Sequence, residues 1–165
     1  MITEIKGDIT KVKCDYICQQ NNCIAVKPHG LSLTIAREMG VCPYSRRTAD
    51  GKKNLAIEED RPPLGRILTE KSPFKDVHVI CMFAQYSYGT PQSQYSYSRD
   101  ETYKTREEAF KKCLYRINKR VKKDAKIAFP KYIGCGLASG DWNNYLSMIE
   151  EFAVDRDVII VEYDK

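Results

Sequence analysis

The chain has 165 residues, 42% of them hydrophobic and 30% charged, with 27 lysines and arginines against 22 acids for a net charge of +5. That length fits one domain, residues 1–165, and buries roughly two thirds of the surface its unfolded form exposes, so neither disulfides nor a structural metal is needed to hold it. Apolar runs such as Val77–Ala84 fall far short of the roughly 20 residues that cross a bilayer, and Met1–Asp8 lacks the basic-then-apolar order of a secretory signal. The expected setting is the cytoplasm, in a chain small enough to enter a nucleus.

Seven cysteines, at 14, 18, 23, 42, 81, 113 and 135, are odd in number and contain no CxxC pair, which argues against a disulfide framework and against a zinc site. They read as reduced thiols, most of them small buried side chains. The positive charge suits an anionic ligand without identifying nucleic acid. The densest basic run, Lys111–Lys123, has helical spacing and reads as a solvated face.

In chain order, Ile2–Ile5 alternates as a strand that stops at Gly7 and Asp8. Asp15–Gln20 is a second short strand, and the polar cluster Gln19-Gln20-Asn21-Asn22 suits a loop at its end. Pro28-His29-Gly30 leads into a helix with Leu31, Ile35 and Met39 on one face, closing near Gly40. Residues 41–65, with Pro43, Gly51, Pro62, Pro63 and Gly65, form a long irregular connection of the kind that often serves as a lid. Gly65–Thr69 and Val77–Phe83 are two further strands, the second apolar enough for burial on both faces. Gln85–Ser98 holds Tyr86, Tyr88, Tyr95 and Tyr97 among polar residues, and reads either as a surface loop or as a ring-rich cover for a ligand.

Asp100 or Thr102 caps a helix over about 102–121, with Ala109, Phe110, Cys113, Leu114 and Ile117 inward. Lys126–Pro130 is a strand, Gly134–Gly140 a glycine-rich loop, Asn143–Phe152 a helix and Val158–Tyr163 a final strand. Strands that alternate with helices predict an α/β fold, layered α/β/α around a mixed sheet.

The strongest chemical feature is a strand that runs into Gly134-Cys135-Gly136-Leu137-Ala138-Ser139-Gly140 and on into a helix. Glycines admit close backbone approach, and amides at a helix start carry partial positive charge, so such a loop holds a phosphate without a lysine. An ordinary tight turn is the alternative, and neither the Walker pattern nor a Rossmann fingerprint is present. Asp8 follows a glycine at a strand end, where a carboxylate accepts from a ligand N–H or caps a turn, and Asn21 and Asn22 offer amides to a ligand or close an Asx turn. His29 is a candidate acid or base, Asp141 either a second such group or a helix cap, and His78 lies in a strand. Cys23 and Cys135 have no sequence-adjacent base and are not expected to act as nucleophiles.

Three segments together resemble the macrodomain family of ADP-ribose-binding modules, over nearly the whole chain. Ile5-Lys6-Gly7-Asp8-Ile9-Thr10 resembles the first-strand motif, which implies that Asp8 meets the adenine amino group and that the Ile9 backbone reads the ring. Gln19-Gln20-Asn21-Asn22-Cys23, leading to His29-Gly30-Leu31, resembles the loop around the distal ribose and one phosphate. Ile133–Trp142 resembles the second phosphate loop. With Cys81-Met82-Phe83-Ala84-Gln85, it is most like the small single-domain branch of terminal ADP-ribose glycohydrolases and phage or viral ADP-ribose-1''-phosphate phosphatases. Tyr86 or Tyr88 would cover the ligand.

The chain departs from that branch at its catalytic positions. Ala138 stands where the glycohydrolases carry an acid, and Phe83-Ala84-Gln85 lacks their lysine. Pro28 and His29 replace small residues, and Lys27 offers a charge to a terminal phosphate. The resemblance implies a monomeric macrodomain that binds ADP-ribose or an ADP-ribosylated substrate. It would hydrolyse a bond at the distal ribose without metal or cofactor, with His29 and Asp141 managing a water. The alternative is a non-catalytic reader of modified protein or nucleic acid. No membrane partner is implied, and nucleic acid only where it carries the modification.

Overall fold

A computed structural model describes residues 1–92, 98 and 100–164. Tyr95 and Tyr97 lie outside the described residues. Six strands, β1 (Ile2–Gly7), β2 (Tyr16–Asn22), β3 (Ile67–Lys71), β4 (His78–Gln85), β5 (Lys126–Pro130) and β6 (Asp157–Tyr163), form a sheet in the order β1-β6-β5-β2-β4-β3. Every neighbouring pair is parallel except β3 with β4 at one edge, so the sheet is mixed.

Alternation along the central strands sorts the core into two layers. Ile17, Val79 and Cys81 face α1 (Leu31–Met39) through Ile35 and Met39. Cys18, Ile80 and Met82 face α2 (Tyr103–Arg120) and α3 (Trp142–Phe152) through Phe110, Ile117 and Ile149. The result is the expected α/β/α sandwich. β4 is buried on both faces, as its apolar run requires.

The helix ends follow local chemistry. Thr102, the second of the two expected caps, forms a reciprocal capping box with Thr105. At the other end of α2 the buried Arg156 guanidinium donates to the carbonyls of Asn118 and Val121, acceptors that helix geometry leaves orphaned, and to that of Lys122 just beyond the helix. α1 closes at Gly40 in the left-handed conformation, φ 69°, and a Cβ there would stand 2.7 Å from Pro73 Cγ.

One expectation changes and another gains detail. The second strand continues past Gln20 through Asn21 and Asn22 rather than giving way to a loop, because β2 stays paired with β4 as far as Asn22 opposite Gln85, across a register shift between Gln20 and Asn22. The polar composition reflects what the side chains meet beyond the strand ends. Residues 41–65 carry two short 3-10 turns, Tyr44–Arg46 and Glu58–Asp60, and an antiparallel bridge between Ala49 and Ala56. They are tied down onto residues 22–27 by Tyr44, Arg47 and Asn54.

After β2 the chain crosses towards β4, and after β5 it crosses the other way towards β6. Connections that leave adjacent parallel strands in opposite directions part at their carboxyl ends and leave a crevice, the usual ligand position in open α/β sheets.

Candidate functional site

That crevice is a cleft of about 810 Å³, within the range of small-molecule sites. Gln19, Gln20 and Gln85 line its floor, residues 25–32 form one wall and Ile133–Ala138 the other, with Tyr88 and Gly89 at one end.

The first wall is held by side chains from residues 44–54. Arg47 is buried, donates from Nη1 to the Ala25 carbonyl at 2.8 Å and from Nη2 to the Asn22 carbonyl at 2.9 Å, and sits over the rings of Tyr44 and Phe83. Burial lowers its pKa from the ordinary arginine value, yet that starting point is so high that the charge persists. The Tyr44 hydroxyl accepts from Asn21 Nδ2 and from the Asn22 amide, both at 3.1 Å. Asn54 Oδ1 accepts from the amides of Val26 at 2.8 Å and Lys27 at 3.0 Å. Asn22 closes an Asx turn, its Oδ1 accepting from the amides of Ile24 and Ala25.

The second wall is self-closed. Gly140 donates to the Gly134 carbonyl at 3.0 Å, and Ser139 to the Gly136 carbonyl at 3.0 Å. Gly134 (φ 77°) and Gly140 pack on the Tyr145 ring, where an added Cβ would come within 2.7 and 2.8 Å of ring carbons. Neither position admits a larger residue. Gly136, by contrast, is exposed and has nothing within 4 Å of where a Cβ would lie. Its openness leaves backbone accessible from the cleft.

The end wall rests on a buried ion pair. Glu101 and Arg106 are 2.9 Å apart with side chains 1% exposed. Glu101 accepts from the amides of Tyr86 and Ser87, and Arg106 donates to the carbonyls of Ser87 and Gly89. These extra partners offset part of the pair's desolvation and fix the loop that carries Tyr88, while Arg106 Nε is buried without a hydrogen-bond partner among the described residues.

Of the residues expected at the site, Asn22, His29, Gly30, Leu31, Gly134, Gly136, Leu137 and Ala138 line the cleft together. Asn21 and Cys23 are buried directly behind it. Cys135, Ser139 and Gly140 belong to the second wall without facing the cleft, and burial pushes the Cys23 thiol up to about 12 and the Cys135 thiol to about 11. Both are thiols at neutral pH. Tyr86 is turned aside, its hydroxyl taking a 2.9 Å hydrogen bond from Arg61. Asp141 caps α3 by accepting from the Asn143 amide at 2.9 Å, and it is not among the cleft residues. His78 stacks on Tyr16 in the sheet, ring centroids 5.2 Å apart.

Asp8 and Ile9 follow β1, outside the lining. Ile9 is buried in the core, and Asp8 accepts from Thr10 N at 2.9 Å and Thr10 Oγ1 at 2.7 Å, both through Oδ1. The Thr10 hydroxyl hydrogen bond holds the Asp8 carboxyl below the usual carboxylate range. Oδ2 carries no hydrogen bond among the described residues.

Sequence reasoning passed over Tyr44, Arg47, Asn54, Glu101, Arg106 and Tyr132. The first five act across long sequence separations that no local pattern encodes. Tyr132 is different. It lines the cleft, is 49% exposed, and holds φ 68°, a region that non-glycine residues seldom enter and that frequently marks functional positions. Trp142 supports it edge-on at 5.6 Å.

Among the described residues no carboxylate lines the cleft. Its cationic groups are Lys27 and Lys131, and Lys131 is paired with Glu4 and Glu162. The imidazole of His29 is exposed and has no hydrogen-bond partner among the described residues. The arrangement offers backbone amides, amides of Asn and Gln, and one imidazole, which suits a polyhydroxylated anion better than a metal.

No family model and no curated protein matches the chain. Solved structures do. The macrodomain of Mycobacterium tuberculosis DarG superposes with a TM-score of 0.68 at 17% identity, covering 98% of this chain and 97% of that one. The Thermus aquaticus DarG macrodomain gives 0.64 at 17% identity over 100% and 99%. The fold is that of a macrodomain. Thermosipho africanus DarTG, solved in complex with ADP-ribose, matches this macrodomain fold with a TM-score of 0.58 at 13% identity, over 94% of this chain and 40% of that one.

Proposed function

We propose that the cleft binds ADP-ribose and that the protein hydrolyses a bond at the distal ribose. The observation that carries the reading is the cleft itself: an opening between the residue 22–31 loop and the glycine loop, at the carboxyl ends of β2 and β5, in a macrodomain fold. The Gly134–Ala138 main chain suits a diphosphate, since Gly136 leaves its backbone uncovered. Asn22, Lys27 and His29 then face the distal ribose, where Lys27 would meet a 1''-phosphate. Asp8 Oδ2 is available to accept from the adenine amino group.

His29 is the acid or base in this scheme, taking a proton from water at one ring nitrogen or giving one to the leaving oxygen, a contribution of about 10²- to 10⁴-fold. Asp141 is committed to the α3 cap, so its role in turnover would come through fixing the glycine loop. A second reading, a binding module without turnover, draws on the absence of a carboxylate among the described cleft residues.

Isothermal titration with ADP-ribose tests the binding. It is followed on the same sample by phosphate release from ADP-ribose-1''-phosphate and label release from ADP-ribosylated protein and DNA. Asp8→Ala should weaken ADP-ribose binding more than tenfold, and His29→Ala should abolish turnover while sparing affinity. Binding with no release on any substrate would establish the module instead, and no binding would overturn both.

A further inference from the structure

The outer face of α2 has no part in the cleft. Seven of the chain's lysines and arginines and none of its acids fall within residues 111–123, so the remainder of the chain carries more acids than bases. The positive charge of the protein is therefore local to the second half of α2 and the residues that follow it. Ala109, Phe110, Cys113, Leu114 and Ile117 turn inward and are buried, which forces the basic residues outward. Lys111, Tyr115 and Lys119 form one row at four-residue spacing and Lys112, Arg116 and Arg120 the next, over about 12 Å of helix axis.

These charges are not used to hold the fold. Among the described residues only Lys123, at the far end of the run, is in an ion pair, with Asp155. Tyr115 is 60% exposed, with Lys119 Nζ 4.9 Å over its ring, a cation and an aromatic surface presented side by side.

We infer that the outer face of α2 is a docking surface for the phosphate backbone of nucleic acid. A bilayer is the poorer partner. Helices that lie in a membrane interface bury an apolar face in it, whereas the apolar face of α2 is spent on the sheet and Tyr115 is the sole large hydrophobic side chain exposed between Lys111 and Lys123. Rows of cations with an exposed ring match instead a regularly spaced polyanion. This inference stands apart from the cleft's ligand, since none of these residues lines the cleft.

The test is fluorescence anisotropy of a labelled, unmodified 20-base-pair DNA duplex with the full chain. Affinity should fall by about a hundredfold between 50 mM and 200 mM salt, as neutralising about four phosphates predicts. Lys111→Gln/Lys119→Gln/Arg120→Gln should weaken low-salt binding at least tenfold and flatten the salt dependence. Lys6→Gln/Lys11→Gln/Lys13→Gln, with the same net charge, should change it less than threefold. Unfolding midpoints confirm that both variants are folded. Equal losses in the two variants, or no duplex binding at low salt, would overturn the inference. So would tighter binding to phosphatidylserine vesicles than to DNA. Displacement of the duplex by excess ADP-ribose would place it in the cleft and overturn the α2 surface while leaving the ADP-ribose reading intact.

Discussion

The two walls of the cleft are built by opposite means. Residues 22–31 are fastened by side chains that reach in from 44–54, with Arg47 and Asn54 taking up backbone groups along the wall. Residues 133–140 are fastened by the absence of side chains, with Gly134 and Gly140 laid against Tyr145 and bonded to each other through their backbones. A wall held by long polar side chains is only as firm as its partners twenty or more residues away. A wall held by glycine packing is firm locally and intolerant of any added atom. The two should therefore fail in different ways.

Arg47 should show the largest effect. Arg47→Ala leaves two carbonyls unpaired beside a cavity once filled by the guanidinium, and each buried unpaired group costs about 1–3 kcal/mol. A total loss of about 3–5 kcal/mol in urea unfolding is expected, and under the ADP-ribose reading binding is impaired as well because the Asn22–Ala25 turn is released. An unchanged unfolding midpoint would mean that the first wall is held without its arginine, and the contrast between the walls would collapse.

Next comes the second wall. Gly134→Ala meets both a left-handed φ of 77° and a contact of 2.7 Å with Tyr145. Strain of that kind and overpacking cost about 1–3 kcal/mol each. A loss of about 2–4 kcal/mol is expected, and trimming the ring with Tyr145→Leu should recover part of it in a double-mutant cycle. Strictly additive losses would show that the ring contact is not what forbids a side chain there.

The contrast also explains what was legible in the sequence. The glycine loop was readable because its determinants, a strand, glycines and a helix cap at Asp141, lie within a dozen residues. The same locality made α2 readable through its apolar positions and Thr102, and β4 through its apolar run. The first wall was not. Arg47 and Asn54 sit in a stretch with weak periodicity, and nothing in their neighbours shows that they will meet Ala25 or Val26. The end of β2, Asn21 and Asn22, was misjudged for a related reason. A polar run was read as leaving the sheet, when pairing with β4 keeps it in the sheet while its side chains reach the cleft and its brace. Tyr132 left no trace in sequence, since a strained backbone angle is set by tertiary surroundings.

Asn54 is the milder test of the first wall. Its carboxamide oxygen takes two amides, but at an exposed position where water replaces it in part. Asn54→Ala should cost about 0.5–1.5 kcal/mol in urea unfolding, and Asn54→Asp, which keeps an acceptor, should cost less. An Asn54→Asp loss as large as that of Asn54→Ala would show that the amide group rather than its oxygen matters.

Gly136 separates fold from function within the second wall. A Cβ at Gly136 meets nothing within 4 Å, and its φ is not in the left-handed region, so Gly136→Ala should alter stability by less than about 0.5 kcal/mol. Under the ADP-ribose reading the same methyl group stands where a diphosphate must approach the main chain, and affinity in isothermal titration should drop at least tenfold. A variant that is as stable as the parent and binds as well would show that the ligand does not press on this part of the loop. The glycine at 136 would then owe its place to neither packing nor phosphate, and the diphosphate would have to be sought along Ile133 and Gly134 instead.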